Sequence, residues 1–212
     1  MPGKLSDRLW GPLFARGYDR MSKGAEDAGL REKRRELLAR ARGRTLELGS
    51  GTGANLGLYP GRVTELVLTE PDAHMRVRLE GKVASECPNA EIVAAEAERL
   101  PFPDSSFDTV VATLVLCTIP APRKALEEIS RVLKPDGRLL FLEHVRSEDP
   151  ALARFQDRMN RLNRFLVGCE CNRETLTAIE AAGFTISRVE RTMTPEAPKF
   201  VRPLVVGAAV AA

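Results

Sequence analysis

The stretch Thr45-Leu46-Glu47-Leu48-Gly49-Ser50-Gly51-Thr52-Gly53-Ala54 decides the fold. Apolar and β-favouring residues surround one carboxylate, and glycines then alternate with small polar residues. The pattern predicts a buried strand over Arg44–Leu48 that ends in a turn where the backbone closely approaches a ligand. Gly49, Gly51 and Gly53 carry no Cβ and permit positive φ. Amide N–H groups in such a turn, and at the start of the helix after it, are donors for a nucleotide-like ligand. A short helix is expected near residues 55–58, ended by Pro60-Gly61.

Two cofactor classes use this arrangement. Gly49, Gly51 and Ala54 fit the dinucleotide fingerprint G-x-G-x-x-A. Glu47 argues against it, because a pyrophosphate gains nothing from a nearby carboxylate. A sulfonium amino acid with an ammonium group does. Leu66–Glu70 reads as the second strand, and Glu70 stands nineteen residues after Gly51. That is close to the offset of about 20 at which an acid meets ribose hydroxyls in a βαβ nucleotide site. A carboxylate can accept from both hydroxyls at once.

The run Leu46-Glu47-Leu48-Gly49-Ser50-Gly51-Thr52-Gly53 resembles motif I of the class I S-adenosylmethionine-dependent methyltransferases. Further segments carry the resemblance in order: Glu70, then Ala95-Glu96-Ala97 with Leu100-Pro101-Phe102, then Ile129-Ser130-Arg131-Val132-Leu133-Lys134-Pro135-Asp136-Gly137. Leu114-Val115-Leu116-Cys117, Phe141-Leu142-Glu143-His144-Val145, Gly168-Cys169 with Asn172-Arg173-Glu174, and Arg202-Pro203 with Gly207 look like the thiol S-methyltransferases of that class. Those are membrane-associated proteins that methylate small thiols; no counterpart of their hydrophobic N-terminal anchor is expected here, so membrane attachment is not implied. The resemblance implies S-adenosylmethionine as cofactor and S-adenosylhomocysteine as product. It implies cofactor contacts from Tyr18, Glu47, Gly49, Ser50, Gly51, Asn55, Glu70, Pro71, Met75, Glu96, Ala97 and Leu114. Glu96 would accept from the adenine amino group, although the family usually has aspartate there, and the Ala97 amide would meet a ring nitrogen.

Composition is that of a soluble globular protein, with 43% hydrophobic and 29% charged residues in 212. One α/β domain with a short extension accounts for the length. A net charge of +3 is too small to argue for nucleic acid. Residues 1–44 nevertheless carry twelve Lys/Arg against six Asp/Glu, a solvated helical face or a patch for an acidic substrate or membrane surface. Four cysteines and two histidines show neither zinc spacing nor a disulfide framework, so no metal is expected. Neither a secretory signal nor a membrane span is expected, and a reducing cytoplasm is the default.

The expected fold is a Rossmann-like sheet of seven strands, mostly parallel with an antiparallel last strand. It spans residues 44–212, with helices on both faces and an N-terminal helical lid over 1–43. Trp10, Phe14 and Tyr18 would share one face of that lid. Residues 28–42 read as a helix capped by Gly43. Thr109–Leu116 reads as a central strand, and Lys134-Pro135-Asp136-Gly137 as a turn whose glycine takes the left-handed position. Leu152, Phe155, Met159, Leu162, Phe165 and Leu166 form a ridge of the kind that is usually core.

Ligands of such sheets bind beyond the carboxyl ends of the strands, so residues 114–118 and Glu143-His144 should border the pocket. His144 is the candidate general base, or else a histidine merely hydrogen-bonded beside the pocket. Cys117 reads as an inert buried thiol. The acceptor is a small molecule: a thiol that ionises unaided, or else a hydroxyl or amine helped by His144. Two other classes compete. A nicotinamide oxidoreductase would need a proton relay, and no Tyr-x-x-x-Lys pair is evident. A non-catalytic adenosyl-cofactor-binding protein would bind and turn nothing over. Oligomeric state is not legible.

Overall fold

The computed structural model describes Gly17 and residues 19–211. Trp10, Phe14 and Tyr18, the aromatic stripe of the expected lid, lie outside the described residues. Seven strands form one sheet in the order β3-β2-β1-β4-β5-β7-β6. They are β1 Gly43–Leu48, β2 Val63–Thr69, β3 Glu91–Val93, β4 Phe107–Thr113, β5 Leu133–His144, β6 Phe184–Met193 and β7 Pro203–Ala211. The pairs among β3, β2, β1, β4 and β5 are all parallel. Only β7 runs against its neighbours, β5 on one side and β6 on the other.

Among the described residues the faces are covered by the α-helices α1 Arg31–Leu38, α2 Ala73–Glu86, α3 Pro122–Val132, α4 Pro150–Val167 and α5 Thr175–Ala181. Ahead of α1, residues 19–25 are helical and Glu26–Leu30 form a π-helical turn at Gly29. None of the described helices is long and apolar enough to cross a membrane.

Strands buried on both faces need apolar residues at successive positions rather than at alternate ones. Leu46, Leu48, Val110, Val111, Ala112 and Leu139 to Leu142 are buried. Helix α3 begins with a proline, where the missing N–H costs nothing, and turns Ala125, Leu126, Ile129 and Val132 inward. Burial stabilises by roughly 1.5–3 kcal/mol per large apolar side chain. Strands β1, β4 and β5 are therefore the rigid platform from which the carboxyl-edge loops project.

Several local expectations are corrected. Helix α1 ends at Leu38, and Gly43 opens β1 with φ 62°. A Cβ on Gly43 would lie 2.4 Å from Asp108 Oδ2, whose carboxylate accepts from Arg44 N at 2.8 Å. Residues 51–57 form successive turns instead of a helix near 55–58. Strand β4 stops at Thr113 because Leu114 takes a left-handed φ of 56°. Strand β5 already begins at Leu133, and residues 134–137 loop out where Phe107 pairs with Leu133 and Thr109 with Arg138. Gly137 is not left-handed there; a Cβ would lie 2.8 Å from both Leu133 Cδ2 and the Lys134 carbonyl oxygen.

The apolar ridge of α4 is not core. Phe155, Leu162, Phe165 and Leu166 are exposed, while Ala153, Gln156 and Asn163 are buried. Gln156 Nε2 donates to the carbonyls of Val145, Cys171 and Phe200 at 3.0, 2.8 and 3.1 Å. Asn163 Nδ2 donates to the Cys169 carbonyl at 2.7 Å. Buried carbonyls demand donors, and that demand turns the polar side of α4 inward.

Candidate functional site

Gly49, Gly51 and Gly53 all have positive φ at the carboxyl end of β1, for different reasons. A Cβ on Gly49 would lie 2.4 Å from Val115 Cγ2, so the glycine turn and the loop after β4 are in contact. A Cβ on Gly53 would lie 2.7 Å from Leu56 Cδ1. One on Gly51 would meet no atom within 4 Å. Gly51 N donates to Glu70 Oε2 at 2.8 Å, and Asp72 N to Glu70 Oε1 at 2.9 Å. Each carboxylate oxygen thus keeps acceptor capacity for another donor. Burial raises the Glu70 pKa, and the two N–H bonds only partly offset it. Asp72 caps α2 by accepting from His74 N and Met75 N, which holds the Glu70 turn against the helix start.

Beneath the turn lies a buried polar network. The Tyr59 hydroxyl donates to Glu47 Oε2. Arg34 Nη1 donates to Asn55 Oδ1 at 3.1 Å and to Thr113 Oγ1 at 3.0 Å, and Asn55 Nδ2 donates to Thr113 Oγ1 at 2.9 Å. Both ends of the Asn55 amide are engaged inside the protein. Burial pushes Glu47 up to about 7, even though Tyr59 and Arg34 favour its charge.

Across the sheet edge, Glu143 organises the start of the loop after β4. Its carboxylate accepts from the amides of Val115 and Leu116 at 2.9 Å and of Cys117 at 3.2 Å. The left-handed Leu114 aims those amides at it. Burial pushes Glu143 up to about 7 against these bonds. The next residue, His144, meets two sulfurs: Nδ1 is 3.6 Å from Cys169 Sγ and 4.0 Å from Cys117 Sγ. His144 Nε2 is buried without a partner. Hydrogen bonding with the free Cys117 thiol, and then with His144, draws the Cys169 thiol down to about 5 despite its burial. Cys117, the donor, is pushed well above the usual thiol range.

The loop that carries Cys169 is tied to this edge by Glu170 N, which donates to the Cys117 carbonyl at 2.8 Å. A cleft of about 260 Å³ flanks it, lined by Leu116, Pro120, Glu170, Arg173 and Thr175 among others. Of the other residues expected at the site, Met75 is buried on α2, Pro71 is exposed beside it, and Glu96 and Ala97 follow β3, the first exposed and the second buried. Tyr18 lies outside the described residues.

Sequence reasoning gives no role to Asp19, Glu143 or Cys169, although it sets Glu143 at the pocket edge. The Thr52 hydroxyl donates to Asp19 Oδ1, and Lys82 and Arg78 lie 3.3 and 3.5 Å from its other oxygen. The only signals for the other two were their neighbours, His144 and Gly168, within segments already prominent in the sequence.

A methyltransferase-domain family model matches residues 46–141. Thiol S-methyltransferase TMT1B of Rattus norvegicus is 33% identical over 215 residues, covering 95% of this chain and 84% of that protein. Phosphatidylethanolamine N-methyltransferase of Cereibacter sphaeroides is 34% identical over 135 residues, 59% of this chain and 66% of that one. Among solved structures, a SAM-dependent methyltransferase of Thermotoga maritima, described as a possible histamine N-methyltransferase, aligns with a TM-score of 0.71. Its identity is 22%, over 96% of this chain and 100% of that one, a likeness of fold.

The glycine turn fits an adenosyl cofactor in its own terms. Ser50 Oγ is buried without a partner, Gly51 faces open space, and Glu70 retains acceptor capacity. With a relative matched along nearly its whole length, the chain belongs to the class I S-adenosylmethionine-dependent methyltransferases and is an enzyme of that kind.

Proposed function

We propose that the enzyme methylates the sulfur of a small thiol. The support is twofold. The relative aligned over 95% of the chain is a thiol S-methyltransferase. On the acceptor side Glu143 is spent on three backbone amides and His144 turns Nδ1 toward two sulfurs, which leaves Nε2 of His144 as the unpartnered nitrogen there. A thiol with pKa about 8.5 is partly ionised at neutral pH, whereas a phenol near 10 is far less so. A site whose carboxylate is already spent suits the thiol. That arrangement at β4 and β5 carries the reading.

S-adenosylmethionine, when bound, supplies an electrophilic methyl group on a sulfonium. Glu70 would accept from the ribose hydroxyls through the lone pairs its N–H partners leave free. Glu96 and the Ala97 amide would meet the adenine, and Gly49, Ser50 and Gly51 would line the backbone approach. Glu47, ionised, would favour the cofactor's cationic end. Pro71, Met75, Leu114 and, in the N-terminal segment, Tyr18 would close the pocket. What the protein then contributes is proximity and orientation, worth effective molarities of about 10⁵ M or more in well-aligned systems.

The test is a titration with S-adenosylmethionine, S-adenosylhomocysteine and NADH, followed by mass analysis of reactions with thiols, phenols and amines. Binding of the adenosyl compounds and methylation of thiols alone is expected. Methyl transfer confined to phenols or amines would overturn the acceptor assignment.

A further inference from the structure

Cys117, His144 and Cys169 come from three segments: the turn after β4, the last residue of β5 and the loop after α4. Their ligand atoms all lie within 4.8 Å of one another, and all three residues are buried. Zinc bonded at about 2.3 Å to sulfur and about 2.0 Å to nitrogen, at tetrahedral angles, holds sulfur and nitrogen roughly 3.6 Å apart. The separations here are 3.6 Å for Cys169 and 4.0 Å for Cys117. Both nitrogen–sulfur edges are thus within about half an ångström of that spacing, and the two sulfurs lie within 4.8 Å of each other.

The segments that present these atoms are fixed. Gln156 and Asn163 hold the backbone of Cys171 and Cys169, Glu170 N holds the Cys117 carbonyl, and Glu143 holds the Cys117 amide. Three soft or borderline ligands on a rigid frame suit a d¹⁰ ion, and they leave one tetrahedral position open. His144 is nine-tenths buried, and the nitrogen it turns to both sulfurs is Nδ1, the atom a metal would take; Nε2 lies on the far side of the ring. The loop that carries Cys117 also touches the glycine turn, through Val115 and Gly49. Cys117 and His144 stand at the carboxyl ends of β4 and β5, the edge where ligands of such sheets bind.

We propose that Cys117, His144 and Cys169 bind zinc, and that the fourth position takes the sulfur of the acceptor thiol. The metal half stands on the geometry alone; the acceptor half rests on the thiol reading given above. On coordination the acceptor S–H bond breaks, its proton passes to solvent, and the sulfur electron pair forms the metal–sulfur bond. No redox change occurs. The sulfur is then held as thiolate below its ordinary pKa, so no side-chain base is required.

The experiment uses the full chain, kept reduced with a phosphine and stripped by a chelator, then titrated with cobalt(II). One equivalent is expected to give a sulfur-to-cobalt charge-transfer band and the intense visible bands of a tetrahedral ion. Cys117→Ser and Cys169→Ser should lose them while still binding S-adenosylmethionine, which shows that they fold. Cys87→Ser should keep them. 2-Mercaptoethanol, unlike ethylene glycol, should shift the visible bands.

No cobalt or zinc uptake by the reduced chain would overturn the proposal, and so would a Cys117–Cys169 disulfide as the pair's sole chemistry. Bands unmoved by the thiol would overturn the acceptor half. If phenols or amines prove to be the acceptors, the thiol reading fails by product analysis, while the cobalt spectrum still decides the metal.

Discussion

The Thr52 hydroxyl donates to the Asp19 carboxylate, joining the segment ahead of the sheet to the glycine turn. Lys82 and Arg78 of α2 face the same carboxylate. Burial opposes the Asp19 charge, but Thr52, Lys82 and Arg78 outweigh it and hold its pKa below the usual carboxylate range. The ion pairs are about a third exposed, at 35% for each side chain, so solvent limits their value to below about 1 kcal/mol. Asp19→Asn is therefore expected to change thermal stability little. It should weaken S-adenosylmethionine binding several-fold by freeing the N-terminal segment from Thr52. Calorimetry and thermal melting of one preparation check both halves.

Glu70→Ala removes the acceptor for Gly51 N and Asp72 N, both at the cofactor edge. Charge-assisted bonds contribute roughly 1.5–3 kcal/mol each, and an orphaned N–H costs a comparable amount. S-adenosylmethionine affinity should fall about a hundredfold or more, with a smaller loss of stability. Equal affinity in the variant and the parent chain would remove Glu70 from the cofactor site.

These residues differ in how far the sequence shows them. The glycine turn and Glu70 are legible because their signals are local: glycine spacing, and an acid at a fixed offset at a strand end. The seven strands follow from apolar runs and turn residues for the same reason. Leu114 is not legible. Nothing in a leucine calls for positive φ, and the conformation is imposed by Glu143, which draws in amides 26 to 28 residues away. Cys117 and Cys169 lie 27 and 25 residues from His144, so a search for short metal spacings passes over them. Helix α4 misleads because its apolar residues outnumber the two that matter. Gln156 and Asn163 face inward to meet carbonyls that the sequence does not announce.

Glu47 and Glu143 set a pH dependence of stability. Burial raises each from the ordinary 4.5 to about 7. Below pH 4.5 both folded and unfolded chains hold these protons. Between about 4.5 and 7 only the folded chain does, so stability falls as pH rises through that window and levels off above it. The raised groups lose at most about 3 kcal/mol each across it. Urea midpoints from pH 5 to 8 should decline, and Glu47→Gln should flatten the slope. If, as proposed, the cationic end of S-adenosylmethionine sits near Glu47, the bound cofactor should flatten it too. A midpoint that climbs with pH, or a Glu47→Gln chain with the parent slope, would contradict the account.

Gly49 and Gly51 share a left-handed conformation but not surroundings, so alanine at each separates packing from ligand binding. Either substitution places a Cβ in the left-handed region, at roughly 1–2 kcal/mol. At Gly49 the new methyl would also lie 2.4 Å from Val115 Cγ2. Val115 is β-branched, buried and tied through its amide to Glu143, so it cannot move aside cheaply. Gly49→Ala should therefore lower stability well beyond the left-handed cost and disturb the Cys117 loop as well. At Gly51 nothing in the protein lies within 4 Å of the new atom. Gly51→Ala should keep most of its stability yet bind S-adenosylmethionine about tenfold more weakly or worse, a loss of about 1.4 kcal/mol or more. Thermal melts without ligand, set beside calorimetric affinities, give both quantities. If Gly51→Ala unfolds the chain as readily as Gly49→Ala, the space beside Gly51 serves folding rather than the cofactor.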